Sequence, residues 1–398
     1  MLDMNLLKTL AKVYGTPVYV YSEKTIVNKI LQLSRVFSQH QYSLLYAMKA
    51  NANPTLVKLI HANGFNIDAC STEEISLAIR CGVLPGNIYY NSDCLTPREI
   101  KFAVEQGVNI TIGSLDAINF ICENYSGIEI SVRINTGIGS GHSDSVVTNG
   151  VMSKFGVLVS ELDEIIKCCT DKSIKIVGLH SHTGSGDLSP DIYIENAIEV
   201  MKISARFNCL RYLNFGGGFG FDYKNSESYN ISYVWDCLEQ TRRELDINAN
   251  IKFLLEPGRY IVADSAVLLS KVCSVKNYET RNYIGLDTGY NHFPRCFYYN
   301  AWHEIVNIST SEEETKLYDV TGYLCQSGDI FARERELPLT VTGDLLCIKD
   351  VGAYGFSMSS NFNLRTRPAE VMLTLDDNLS VIRRAETLDD ILLTCHLD

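Results

Sequence analysis

From Tyr42 onward, short runs of consecutive apolar residues alternate with stretches in which apolar residues recur every three or four positions. The runs fall near residues 44–48, 66–69, 87–90, 109–112, 129–134, 175–180, 211–215 and 252–256, with helix-patterned segments such as 55–62, 72–79, 97–104 and 162–168 between them. Strands that are apolar almost throughout are buried on both faces, and strands joined through helices pair in parallel. Eight such units predict a closed (β/α)8 barrel with its helices outside. The rival is a doubly wound open sheet, which normally shows a glycine-rich turn after its first strand; here that strand runs into Lys49.

After Arg259 the alternation stops. Short β-like runs at 266–275, 283–286, 316–320, 345–349 and 371–375, with little helical pattern among them, predict a mostly β domain beginning near residue 262. The run at 18–21 precedes the barrel and needs a sheet to pair with, so it is assigned to the same domain. The expected division is a barrel over 25–261 and a β-rich domain from 1–24 and 262–398. The unit between 129 and 175 is longer than the others and carries a glycine-rich loop, Gly137-Ile138-Gly139-Ser140-Gly141-His142-Ser143, expected to be mobile.

Composition narrows the classes. The 398 residues are 46% hydrophobic and 21% charged, as in soluble globular proteins. A net charge of −12 argues against nucleic-acid or anionic-membrane partners, which require a basic face. No apolar run approaches the roughly 18 residues of a membrane span, and no signal-peptide pattern opens the chain, so a cytoplasmic protein is expected. The 13 cysteines are odd in number and never spaced C-x-x-C, which suggests neither a disulfide framework nor a zinc site.

Lys49 stands where the first barrel strand should end. A surface lysine is the ordinary explanation; the alternative is an amine whose desolvation makes it a nucleophile toward an aldehyde cofactor. Active sites of barrels lie at the C-terminal ends of the strands, and every strand here ends in polar residues or glycine. In order these are Lys49, Asp68 to Ser71, Asn91, Ser114, Asn135, His180 with His182, Gly216-Gly217-Gly218, and Glu256-Pro257-Gly258-Arg259. The glycines suit either a structural turn or close approach of backbone N–H groups to a phosphate, to which Ser185 and Arg259 could add a hydroxyl and a charge. Glu256 could pair with Arg259 or accept from a protonated ring nitrogen. His182 could lie against an aromatic ring; with His180 it could also form a metal pair, although no acidic cluster or third histidine stands nearby in sequence.

Together the motifs YAMKAN at 46–51, SKFG at 153–156, HSHTGSG at 180–186, GGGFG at 216–220, EPGRYIVADSA at 256–266, CQSGD at 325–329, and GAYGFSMSSNFN followed by RPAEV at 352–371 span the chain. In order and spacing the sequence resembles the fold-type III pyridoxal-phosphate decarboxylases, most closely the diaminopimelate decarboxylases. The resemblance implies the alanine racemase and ornithine decarboxylase-like architecture of barrel plus C-terminal β domain. It implies that Lys49 holds pyridoxal 5'-phosphate covalently, with Asp68, His182, Ser185, Gly216, Gly217, Gly218, Glu256, Gly258, Arg259 and Tyr354 around the cofactor. His182 would stack on its ring, and Glu256 would pair with the ring nitrogen. Cys325 would return a proton to the α-carbon, on a loop oriented through Asp329 that in this family reaches a partner subunit, so a homodimer with active sites at the interface is expected. A small buried filler is the ordinary alternative for Cys325.

The substrate is less determined. Arg259, Arg295, Tyr299, Gln326 and Tyr354 are the substrate-binding candidates, but the family loop reads C-E-S-G-D and here the acidic position is Gln326. An amide can hydrogen-bond an ammonium without neutralising it. Asn135-Thr136 replaces a common Asn-Pro, a change expected to be neutral for the chemistry. The expected activity is α-decarboxylation of a diaminopimelate-like amino acid, a step of lysine biosynthesis if that substrate is meso-diaminopimelate. Alternatives are a decarboxylase of a D-diamino acid or a siderophore or antibiotic precursor, an amino-acid racemase, and a non-catalytic pyridoxal-phosphate-binding protein. Racemases of this fold place an arginine at the ring nitrogen, where this chain has Glu256. Single-barrel carriers lack the second domain.

Overall fold

The computed structural model describes residues 3–37, 42–142, 146–225 and 227–396. Ser143, at the end of the glycine-rich loop singled out above, lies outside them. The chain forms two compact units, one of Lys29–Phe221 and Ser228–Tyr260, the other of Met1–Asn28, Asp222–Glu227 and Ile261–Asp398.

The first unit is a closed parallel barrel. Its eight strands are Tyr42–Ala47, Asn66–Ala69, Ile88–Asn91, Asn109–Ile112, Glu129–Asn135, Lys175–His180, Tyr212–Asn214 and Lys252–Leu255. Each pairs in parallel with the next, and the ring closes where Phe253 to Leu255 run alongside Tyr42 to Leu44. Burial on both faces explains the unbroken apolar runs: Leu45, Ile67, Ile110, Val132, Leu179, Leu213 and Leu254 are all buried.

The covering helices show the spacing that one-sided burial demands. Pro54–Ala62 buries Leu56, Val57 and Ile60, Thr72–Arg80 buries Ile75 and Ala78, and Pro97–Gln106 buries Ile100 and Ala103. Their entries are capped by Asn53, Ser71 and Thr96, and Ser114 caps the following helix, Leu115–Asn124. Each cap satisfies a helix N–H that would otherwise be left over, typically contributing about 1 kcal/mol. Ser71 and Ser114 are therefore strand-end polar residues with a local structural role, which thins the ring of candidate site residues.

The second unit is mostly β. Val18–Ser22 lies between Ala266–Asn277, antiparallel to it, and Ala369–Leu373, parallel to it. The five expected β runs occur as Ala266–Asn277, Asn282–Leu286, Thr315–Thr321, Leu345–Ile348 and Ala369–Leu373. Ile305–Asn307, Ile330–Pro338 and Leu379–Arg383 have no counterpart among them. Two of these are the edge strands of the sheet path, and Ile330–Pro338 carries Arg333, Glu334, Arg335 and Glu336, so charge interrupts the apolar pattern. Among the described residues no helix is long and apolar enough to cross a membrane.

Gly178, mid-strand in Lys175–His180, marks a point where the barrel has no slack. A Cβ there would overlap the ring of Tyr212 on the adjacent strand, a ring held in the cluster of Leu45, Val177 and Leu254. Overpacking of this kind costs about 1–3 kcal/mol. Gly178→Ala should lower the thermal midpoint by roughly 5 °C, read by circular dichroism. An unchanged midpoint would mean that Tyr212 moves aside freely.

Candidate active site

The first strand ends at Ala47 and runs into a 3-10 turn, Met48–Ala50, in which Met48 and Ala50 are buried. Lys49, between them, keeps 32% of its side chain exposed. Its Nζ donates to Asp68 Oδ2 at 2.9 Å and to Cys70 Sγ at 3.5 Å. Asp68 is fully buried on the neighbouring strand. Burial, reinforced by the Glu256 carboxylate, pushes its carboxyl up to about 7 against the pull of Lys49. Burial likewise pushes the Cys70 thiol up to about 12.

Glu256 follows the last barrel strand and is also buried. Its Oε1 accepts from Asn214 Nδ2 at 2.7 Å and lies 3.2 Å from His180 Nε2, which Asn91 approaches at 3.1 Å. Burial alone would raise this carboxyl, but the attraction and hydrogen bond of His180, with Lys49 and His182 behind them, hold it below the usual carboxylate range. Glu256 is thus the fixed anion and Asp68 the acid poised to titrate. Arg259 does not pair with Glu256; its Nη2 donates to Ser185 Oγ at 2.9 Å.

The glycine run is shaped by packing as well as by chemistry. A Cβ on Gly217 would overlap the Glu256 carbonyl oxygen, and Gly218, at φ +96°, approaches the Gly184 carbonyl oxygen just as closely. Gly216 N donates to Asn214 Oδ1, and Gly218 O accepts from Gly186 N. Among the described residues the amides of Gly217 and Gly218 find no acceptor. His182 sits against Gly216 and Gly218 with its Nδ1 buried and without a hydrogen-bond partner. Burial, then the charge of Lys49, pushes this imidazole well below its ordinary value, so it is neutral. Gly258 brings the 256–259 segment against the turn of Lys49: a Cβ there would stand 3.0 Å from Ala47 O and 3.1 Å from Ala50 Cβ.

Several residues essential to this arrangement were not singled out from sequence. Arg133 is buried, stacks on Phe155 at 4.4 Å and donates to Asp93 at 3.0 Å, while Asp93 also accepts from Gly156 N. A charge inside the apolar 129–134 run was the available signal. Asn214, the polar end of an otherwise apolar strand, was another. Asn149 Nδ2 donates to Thr136, Ser181 and Asn196, so the hydroxyl of Thr136 has a definite partner set. The glycine-rich loop is tied at Ser140 N to Thr183 O and at His142 N to Ser185 O.

The second unit holds the other candidates. Cys325 is exposed, which removes the buried-filler explanation, and neighbouring Asp329 accepts from Leu324 N and Tyr290 N. Gln326 Oε1 accepts from Tyr290 Oη at 2.6 Å. Arg295 and Tyr299 share one short helix. Arg295 is buried, with its guanidinium over Tyr223 and Nη1 3.1 Å from His303; Tyr299 Oη lies 3.9 Å from Met358 Sδ. Tyr354 is half-buried with φ +56°.

The barrel residues fit a phosphorylated aromatic aldehyde. An amine lies beside a titratable carboxyl, a second carboxylate stays ionised, an imidazole is neutral and unpartnered, and two amides without acceptors lie near an arginine and a serine hydroxyl. A metal fits less well: His180 is engaged by Glu256 and Asn91, and among the described residues no group of three or more His, Cys, Asp or Glu side chains is arranged to hold one.

Comparison with known proteins agrees with this chemistry. The family described as pyridoxal-dependent decarboxylase, pyridoxal binding domain, matches residues 23–263. The diaminopimelate decarboxylase of Methanothermobacter thermautotrophicus is 36% identical over 397 residues, covering 96% of this chain and 92% of the relative. The crystal structure of diaminopimelate decarboxylase from Helicobacter pylori complexed with L-lysine is similar with a TM-score of 0.90 at 29% identity, covering 97% of this chain and 98% of that one. The crystal structure of diaminopimelate decarboxylase from M. jannaschii in co-complex with L-lysine gives 0.90 and 29% over 98% of this chain and 94% of that one.

The Asp68 shift has a measurable consequence for the protein freed of small molecules. Its ordinary value is 3.8 and its folded value about 7, so between these the folded state binds more protons than the unfolded state. This contribution to stability therefore declines as the pH rises from about 4 to about 7. Asp68→Asn should lack that decline, so the thermal midpoint of the parent minus that of the variant should fall as the pH rises across this range. A difference independent of pH would refute the shift.

Proposed function

This chain belongs to the pyridoxal-dependent decarboxylases, and from that premise we propose that it removes the α-carboxylate of a diaminopimelate-like amino acid, forming lysine where the substrate is meso-diaminopimelate. The observation that carries the assignment is the pairing of Lys49 with a proton-accepting Asp68 beside a Glu256 that stays ionised. Pyridoxal phosphate, when bound, supplies an aldehyde and an electron-accepting ring that draws in the bonding pair left behind as carbon dioxide departs.

The side chains divide the remaining work. Lys49 Nζ is the amine that holds the cofactor, and Asp68 Oδ2, within hydrogen-bond reach, takes the proton that an ammonium must lose to become nucleophilic. Glu256, fixed by Asn214 and His180, is assigned to a protonated ring nitrogen. His182, neutral and flat, is assigned to the ring face. Arg259, Ser185 and the amides of the glycine run, with Gly216 shaping the turn, are assigned to the phosphate, joined by Tyr354. Gly258 keeps the Glu256–Arg259 segment close to the Lys49 turn. Cys325 Sγ is assigned to return a proton to the α-carbon.

Arg259, Arg295, Tyr299, Gln326 and Tyr354 are assigned to the substrate, and Gln326 is the residue expected to set its distal group. An exposed Cys325 on a turn organised by Asp329 suits delivery of the thiol to another subunit, so the active form is proposed to be a homodimer with shared sites.

Lys49→Ala should abolish both the visible cofactor absorbance and turnover, whereas Cys325→Ala should keep the absorbance and lose most turnover. If each site combines Lys49 of one protomer with Cys325 of the other, mixing the two inactive variants should restore about a quarter of the parental activity. Failure to recover any activity from exchanging subunits would place both groups in one chain. Separately, a carbon dioxide release screen across L-, D- and meso-diamino acids and their carboxylated conjugates should include Gln326→Glu beside the parent. A gain on meso-diaminopimelate in the variant would assign the natural substrate to a different distal group; a loss would identify Gln326 as fitted to the usual one.

A further inference from the structure

Cys325 is held at two points by one side chain. Its backbone N–H donates to Asn363 Oδ1 at 3.2 Å, and Asn363 Nδ2 donates to Cys325 Sγ at 3.0 Å. The orientation of the amide is fixed by chemistry, because a backbone N–H can only donate and so must face the carbonyl oxygen.

The backbone bends to make this clamp. Asn363 lies at φ 57°, ψ 26°, and Leu364 follows at φ 54°. Asparagine enters the left-handed region readily, but a leucine there is strained. Neighbours hold the segment in place: Asn361 Nδ2 bonds Arg365 O and Glu386, and the Phe362 ring stacks with Tyr290 at 5.7 Å. On the other side, Asp329 fixes Leu324 and Tyr290, and Tyr290 fixes Gln326. Both chain neighbours of Cys325 are therefore anchored, and Asn363 orients the thiol between them.

We infer that Asn363 is a positioning residue for proton transfer from Cys325, directing the sulfur and stabilising it as its proton leaves. The inference rests on the assignment of Cys325 as proton donor. With Nδ2 donating to the sulfur, the S–H bond must point away from Asn363. When that bond breaks, its proton forms the new C–H bond at the α-carbon and its electron pair stays on sulfur. The N–H···S contact strengthens as that negative charge develops, and water later returns a proton to the thiolate.

The test uses the holoenzyme and four variants: Asn363→Gly, Asn363→Asp, Cys325→Ala and the double change Cys325→Ala with Asn363→Gly. Glycine removes the amide while favouring the left-handed backbone, so the fold and the cofactor absorbance should persist. The expected result for Asn363→Gly is a fall in kcat of about tenfold or more, with KM changed less than about twofold. Asn363→Asp keeps the size and the acceptor for the Cys325 N–H but sets a carboxylate oxygen against the sulfur, so its kcat should fall at least as far. Adding Asn363→Gly to Cys325→Ala should cause no further loss. An aspartate variant clearly more active than the glycine variant, as a purely structural role would give, overturns the inference. So does parental kcat in Asn363→Gly when Cys325→Ala is inactive. Full turnover in Cys325→Ala would instead overturn the proton-donor assignment, and the inference with it.

Discussion

Two buried carboxylates feel the charge of one ammonium at the mouth of this barrel, Asp68 by direct contact and Glu256 at longer range, and the outcome depends on how unequally the protein supports them. Glu256 has Asn214 and His180 as fixed partners, so its charge is stabilised before anything binds. Among the described residues it is the side chain of Lys49 that offsets the complete burial of Asp68, with Glu256 working against it, and so this carboxyl is pushed up to about 7, where it can both take up and release a proton. Environments that drive two similar acids apart assign them different tasks: one carboxylate holds a charge and the other moves a proton.

The same economy runs through the backbone. The glycines at 216–218 permit the chain to pass close to the Glu256 and Gly184 carbonyls, and two amides there are left without an acceptor among the described residues. Packing and anion recognition thus impose the same requirement at the same residues. The structural turn and the proposed phosphate cradle are therefore compatible within one arrangement. Thr136 shows the converse case, in which a departure from the commoner Asn-Pro introduces a hydroxyl that Asn149 and Asn196 engage.

What could be read from the chain followed from how evenly burial acts. Barrel strands enclosed on both faces and helices buried on one face leave strong periodic signals, and their positions were expected closely. Ile330–Pro338 lies at a sheet edge, where Arg333, Glu334 and Glu336 are exposed and conceal the strand. Polar residues at strand ends were over-read, since Ser71 and Ser114 serve helices. The supporting partners were least legible because they are far apart in sequence: Arg133 meets Asp93 across 40 residues, Asn214 meets Glu256 across 42, and Asn363 meets Cys325 across 38. Nothing local at either member of such a pair indicates the other.

The placement of Val18–Ser22 carries a burden for synthesis in the cell. Tyr21 bonds Glu370, 349 residues further along, and the parallel neighbour of this strand is the segment Ala369–Leu373. At ribosomal rates of about 5–20 residues per second, that neighbour emerges on the order of tens of seconds later. Every strand of the barrel can be translated while Val-Tyr-Val-Tyr still lacks it. A nascent chain built this way must keep a β-prone apolar segment from pairing with strangers until residues 369–373 follow.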